Sequence, residues 1–206
     1  MTDTTTFDLR PQARIVARLA EGVPDDRLAD PTPCPEYAVS GLLSHLAGLA
    51  VAFRDAARKN LGPTTDTAPE ASTVPALPAH WREELPRVLA ELAEAWTDPA
   101  AWTGMTRAGG VDLPGGTAGT VVADELVIHG WDLARATDQE YAPDPAALRA
   151  AHAFLRAAAE DDAGGGGAFG PVVPVPDDAP LLDRTVGLSG RDPAWTPPTS
   201  GWVWLT

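Results

Sequence analysis

Apolar residues recur at helical spacing along nearly the whole chain, with hardly any of the alternation that marks strands. That rhythm predicts a first helix from about Leu9 to Glu21, with Ile15, Val16 and Leu19 turned inward. Pro31, Pro33 and Pro35 forbid its continuation. A second helix is expected from near Val39 to about Asn60, carrying Leu42, Leu43, Leu46, Leu49, Ala50 and Phe53 on one stripe. A third runs from about Pro78 to Thr97, and Pro86 either kinks it or marks its true start. A fourth spans about Ala118 to Thr137, with Val121, Val122, Leu126, Ile128 and Leu133 facing the interior. Four helices of this length make a four-helix bundle the economical architecture. Between them, Leu61 to Pro78 reads as a mobile surface loop, and TGMTRAGGVDLPGGTA as a loop or small hairpin. A fifth helix opens at Pro145, where proline is tolerated, and a short last helix, APLLDRTVGLSG, precedes a Trp-rich tail.

With 206 residues the chain is long enough to bury one sizeable core. We read it as a single domain, residues 1–206, with its core at about 8–140 and additional C-terminal helices and tail at about 145–206. Fifteen Lys and Arg stand against 29 Asp and Glu, a net charge of −14. That balance argues against nucleic acid and anionic membrane as partners, since both need clustered positive charge. One cysteine excludes an internal disulfide and a Cys-rich zinc framework. No apolar run approaches the roughly 20 residues of a membrane span, and the N-terminus lacks the basic start and apolar stretch of a signal peptide. The expected location is cytoplasmic.

The four histidines can be weighed one by one. Glu125 and His129 sit four apart on the fourth helix, which places them one turn apart on one face. His45 lies within the apolar stripe of the second helix. An inward His on one helix facing a Glu-x-x-x-His on another is how bundles build metal sites. Two imidazoles and a carboxylate leave a coordination position open, the mark of a catalytic site; zinc fits, as do nickel and iron. The alternative is that these side chains only hydrogen-bond within a structural bundle. Asp132 borders the same face, where it would orient His129 or the helix from behind, or else be an exposed, solvated carboxylate or a salt-bridge partner of Arg135. His80 is expected at the surface and His152 in packing. Cys34 has no His, Lys or Arg near it in sequence, so it reads as a small buried hydrophobe rather than a nucleophile. Gly165 to Gly170 match G-x-G-x-x-G, but no strand precedes the run and PVVPVP follows it, so a dinucleotide site is rejected.

TPCPEYAVSGLLSHLAG, Thr32 to Gly48, and ADELVIHGWDLARAT, Ala123 to Thr137, resemble segments of the DinB-like metalloprotein superfamily. They are similar to its actinobacterial branch, named for the N-terminal domain of mycothiol-dependent maleylpyruvate isomerase. The stretch from Phe169 to Trp195 is similar to the C-terminal part of one of that branch's subgroups. The resemblance implies an all-α, DinB-like up-down-down-up four-helix bundle with additional C-terminal helices. It implies a divalent ion, often zinc, on His45, Glu125 and His129, and chemistry on the small thiol mycothiol. Only two helical segments and an irregular tail follow the fourth helix here, where the isomerase has a second, mixed α/β domain. The expectation is therefore S-transfer to an electrophilic small molecule, or thiol-assisted isomerisation, rather than the isomerase's own reaction. The alternative is a non-catalytic, metal-containing binding or regulatory protein, its open side closed by Trp195, Trp202 and Trp204. A homodimer is a possible assembly.

Overall fold

The computed structural model describes residues 6–67, 75–161 and 170–198. In order along the chain come α1 (Arg10–Glu21), α2 (Val39–Ala57), a one-turn α3 (Pro63–Asp66), α4 (Trp81–Ala95), strands β1 (Met105–Ala108) and β2 (Val111–Pro114), then α5 (Gly115–Ala136), α6 (Pro145–Asp161) and α7 (Leu181–Leu188). The expected helices are all present among the described residues, and the fold is all-α save for one hairpin. α4 starts at Trp81, so Pro86 lies inside it. α5 starts at Gly115, about a turn earlier than the apolar spacing suggests. The Gly-rich run at 162–169, Trp202 and Trp204 lie outside the described residues.

Side-chain hydrogen bonds fix the directions of the long helices. Gln12, early in α1, donates to the Leu126 carbonyl of α5, and Gln139, just past α5, donates to the Leu19 carbonyl near the end of α1. These two helices are therefore parallel. Arg82, at the start of α4, reaches the Val23 carbonyl just beyond α1, which makes α1 and α4 antiparallel. Trp96, past the end of α4, donates to the Phe53 carbonyl late in α2, so α2 and α4 are parallel. The result is an up-down-down-up DinB-like bundle of α1, α2, α4 and α5. Its core is contiguous, with Val16, Leu42, Leu46, Leu89, Leu92, Leu126 and Leu133 essentially inaccessible.

α5 is the central element. It packs on α1, α2 and α6, and α7 packs on α6. Most of its residues are buried, as its apolar composition all round requires. Three of the buried ones, Asp124, His129 and Asp132, are ionisable, and burial of such groups is costly unless they are paired.

The hairpin turns at Gly109 and Gly110, both with positive φ (59° and 76°), the backbone of a two-residue type I′ turn. Thr106 on β1 ties it to the far end of α2 by donating to the Ala56 carbonyl. The opposite end of the bundle is built by the loop before α2. There the Thr32 hydroxyl accepts from the Cys34 N–H at 3.2 Å and donates to the Tyr37 carbonyl at 2.8 Å, closing the proline-rich turn. The carbonyls of Asp30 and Leu28 accept from the N–H groups of Val39 and Ser40, which opens α2 without a side-chain cap.

Candidate metal centre

α2 begins, and α5 ends, at the end of the bundle that this turn closes. His45 stands in the second turn of α2, and Glu125 and His129 lie one turn apart on the facing side of α5. The antiparallel crossing brings them together. Glu125 Oε2 lies 3.4 Å from His45 Nε2 and 3.1 Å from His129 Nε2. The two imidazole rings meet edge to face at 4.9 Å. One donor atom from each of the three residues lies within 4.8 Å of the other two. Both histidines are buried, whereas the Glu125 side chain is 27% exposed, so the cluster opens to solvent on the carboxylate side.

The second nitrogen of each ring is also held. His129 Nδ1 is 2.9 Å from Asp132 Oδ2, and His45 Nδ1 is 3.3 Å from the Tyr37 hydroxyl, whose ring stacks on the imidazole. Histidine ligands in metal sites are anchored in this way, with the far N–H given to a carboxylate or another oxygen. Two nitrogens and one oxygen with anchored rings fit a divalent cation with a position to spare.

Electrostatics agree with the geometry. Burial alone would raise the Glu125 carboxyl, but hydrogen bonds from His129 and His45 outweigh it and hold the group well below the usual carboxylate range. Burial disfavours a charged His129, yet Asp132 and Glu125, on its two nitrogens, push it up to about 9. Burial keeps the Tyr37 phenol protonated, raised to about 12.

Behind His129 lies a second cluster that was not apparent in the sequence. Cys34, His129 and Asp132 also place donor atoms within 4.8 Å of one another, all three buried. This group is poorly suited to a cation, because Asp132 is already taken. Arg191, which follows α7, reaches it with Nε 3.2 Å from Oδ1 and Nη2 3.0 Å from Oδ2. Asp132 thus pairs with Arg191 and not with Arg135, whose guanidinium instead donates to the Trp195 carbonyl. Cys34 is buried as expected, and burial pushes its thiol up. It is nevertheless not remote from charge: His129, Asp132 and Arg191 are its neighbours in space, far from it in sequence and outside the periodic patterns that sequence reading uses. The remaining histidines stand apart from the cluster. His80 is exposed and paired with Glu84, and His152 faces Thr185.

The family model for the mycothiol maleylpyruvate isomerase N-terminal domain matches residues 9–134. The chain belongs to that family. Its matched stretch ends just after Asp132 and so takes in His45, Glu125 and His129 but neither α6, α7 nor Arg191. Among solved structures, crystal structures of the mycothiol-dependent maleylpyruvate isomerase and of one of its histidine-to-alanine mutants are similar to the chain. Each superposes with a TM-score of 0.58 over 76% of this chain and 70% of that one, at 22% and 20% identity respectively. At that identity the likeness is one of fold. No curated protein matches the chain.

Proposed function

We propose that the chain is a divalent-metal enzyme that uses a small thiol, mycothiol, against an electrophilic small molecule, by S-transfer or by thiol-assisted isomerisation. The observation that carries this reading is the single carboxylate oxygen of Glu125 set 3.1 Å and 3.4 Å from two imidazole Nε2 atoms whose other nitrogens are anchored. Membership of the mycothiol maleylpyruvate isomerase N-terminal domain family supports the choice of thiol. His45, Glu125 and His129 would hold the ion, and this donor set suits zinc first, then nickel or iron.

A divalent cation bound there supplies the positive charge that keeps a thiol sulfur as its reactive thiolate at neutral pH. The residues of the chain do the rest. Glu125 lowers the net charge of the site and marks its open side. Asp132 holds His129 so that Nε2 faces Glu125. Tyr37, kept protonated, supports His45 without adding charge. Cys34 stays a buried, protonated thiol and so does not compete with the soluble one. The described part of the tail meets α5 at Asp132 and Arg135, through the Arg191 side chain and the Trp195 carbonyl.

The test is direct. Protein purified without added metal is assayed for bound divalent ions, then incubated with mycothiol and a panel of electrophiles, and products are read by mass spectrometry. We expect stoichiometric metal and at least one thiol adduct or isomerised product. Loaded protein that turns over none of the panel would overturn the enzymatic reading.

A further inference from the structure

We propose that Arg191 is a positioning residue for this centre: supplied from beyond the family-matched stretch, it clamps Asp132 so that His129 presents Nε2 to the cation. This rests on the reading that His45, Glu125 and His129 hold the ion.

Asp132 is completely buried, and one of its oxygens serves two partners. Oδ2 accepts from His129 Nδ1 at 2.9 Å and from Arg191 Nη2 at 3.0 Å, while Oδ1 accepts from Arg191 Nε at 3.2 Å. A two-pronged guanidinium grip fixes the plane of a carboxylate as well as its position. With the plane of Asp132 fixed, the direction of its bond to His129, and hence the tilt of that ring, is fixed too. Without Arg191 the carboxylate would be left in the interior with only the imidazole for company. It would then be free to rotate.

The chain after α6 is shaped to deliver this one side chain. α7 ends with the Arg191 N–H bonded to the Val186 carbonyl and the Gly190 N–H to the Gly187 carbonyl. Gly190 has a φ of 81°, which L side chains rarely adopt, and a Cβ there would press on the backbone of Gly170 at 3.0 Å. Gly187 is equally constrained, since a Cβ would come within 2.6 Å of the Val173 carbonyl oxygen. The Val173 N–H bonds to the Gly187 carbonyl, so the strand-like segment before α7 braces the turn from outside. The guanidinium that emerges is itself largely buried, with its side chain 13% exposed, and its Nη1 is held by the Ser189 carbonyl at 3.0 Å. A second arginine contact, Arg135 Nη2 to the Trp195 carbonyl at 2.6 Å, also ties the tail to α5 but does not touch Asp132, and so provides a control.

The experiment compares the parent with Arg191→Met, Arg191→Lys, Gly190→Ala and Arg135→Met. Zinc affinity is read by competition with a chelating indicator, and the ring N–H signals of the zinc-loaded proteins by 1H–15N correlation. Partners of this outer kind carry about 10–100-fold in metal affinity. Arg191→Met is expected to weaken zinc by that factor and to lose the slowly exchanging His129 Nδ1–H signal while keeping that of His45. Arg191→Lys, a point charge without the fork, should recover only part of the loss. Gly190→Ala, which leaves Arg191 present but misaims its turn, should shift affinity in the same direction. Arg135→Met should loosen the tail and leave zinc affinity within about threefold of the parent. Should Arg191→Met fail to fold, Arg191→Lys and Gly190→Ala decide the question. A folded Arg191 variant with parental affinity and an intact His129 signal overturns this inference alone. A parent that takes up no zinc, nickel or iron overturns the metal reading and this inference with it.

Discussion

His129 is asked to do two things at once, to stay tied to Asp132 through Nδ1 and to face Glu125 through Nε2. Without metal, its charged form satisfies both partners, which is why it titrates near 9 rather than at the usual 6.5. A group raised in this way stabilises the folded chain fully below its unfolded value and loses that contribution as pH rises through the folded one. Chelator-treated protein should therefore lose stability between pH 6.5 and 9, read as a falling urea midpoint. Because the cation must displace the same proton, zinc affinity should climb across that window and level off above it. Replacing His129 with Ala, or Glu125 with Gln, should weaken metal by more than the about 10–100-fold typical of outer partners, read as loss of ion from purified protein. His45, Glu125 and His129 stood out in the sequence because helical spacing and an apolar stripe are short-range signals. Arg191 and Tyr37 did not, because what makes them matter is a partner on another element. Cys34 showed its burial through its type, but not the charged company that the closing of the turn gives it.

At the scale of elements, the helices were legible because their apolar faces repeat every turn, whereas their ends depend on contacts with other elements. Gly115 and Gly116 read as a turn, yet α5 begins there. The reason is local crowding: a Cβ on Gly115 would overlap the Ala101 carbonyl oxygen, so glycine is needed for contact rather than for flexibility. Gly119, one turn on, leaves room in the same way for the buried ring of Trp102. Gly119→Ala should therefore destabilise despite its better helix propensity. Overpacking costs about 1–3 kcal/mol against the roughly 1 kcal/mol gained by replacing a helical glycine. Urea denaturation at fixed pH measures the balance. Strands of only four residues are too short for alternation to separate a hairpin from a loop, and the positive φ of Gly109 and Gly110 is what closes this one.

For the molecule as a whole, a cation held as proposed between α2 and α5 would join parts of the core that are far apart in the chain, so its removal should be felt globally. A ligand present at 100 times its dissociation constant stabilises by about 2.7 kcal/mol. In a chain of this size that corresponds to a melting temperature about 5–11 °C lower after chelation, measurable by calorimetry. None of the described helices is long and apolar enough to cross a membrane, as the composition suggested. The parallel seam between α1 and α5 has another consequence. Gln12 meets the Leu126 carbonyl across 114 residues of sequence. At the pace of translation, about 5–20 residues per second, the first helix leaves the ribosome roughly 6–23 s before the one it must lie beside. For that interval the nascent chain holds an unfinished apolar surface in a crowded cell. Its safe delivery thus depends on chaperones or on temporary pairing with α2 and α4, long before any chemistry begins.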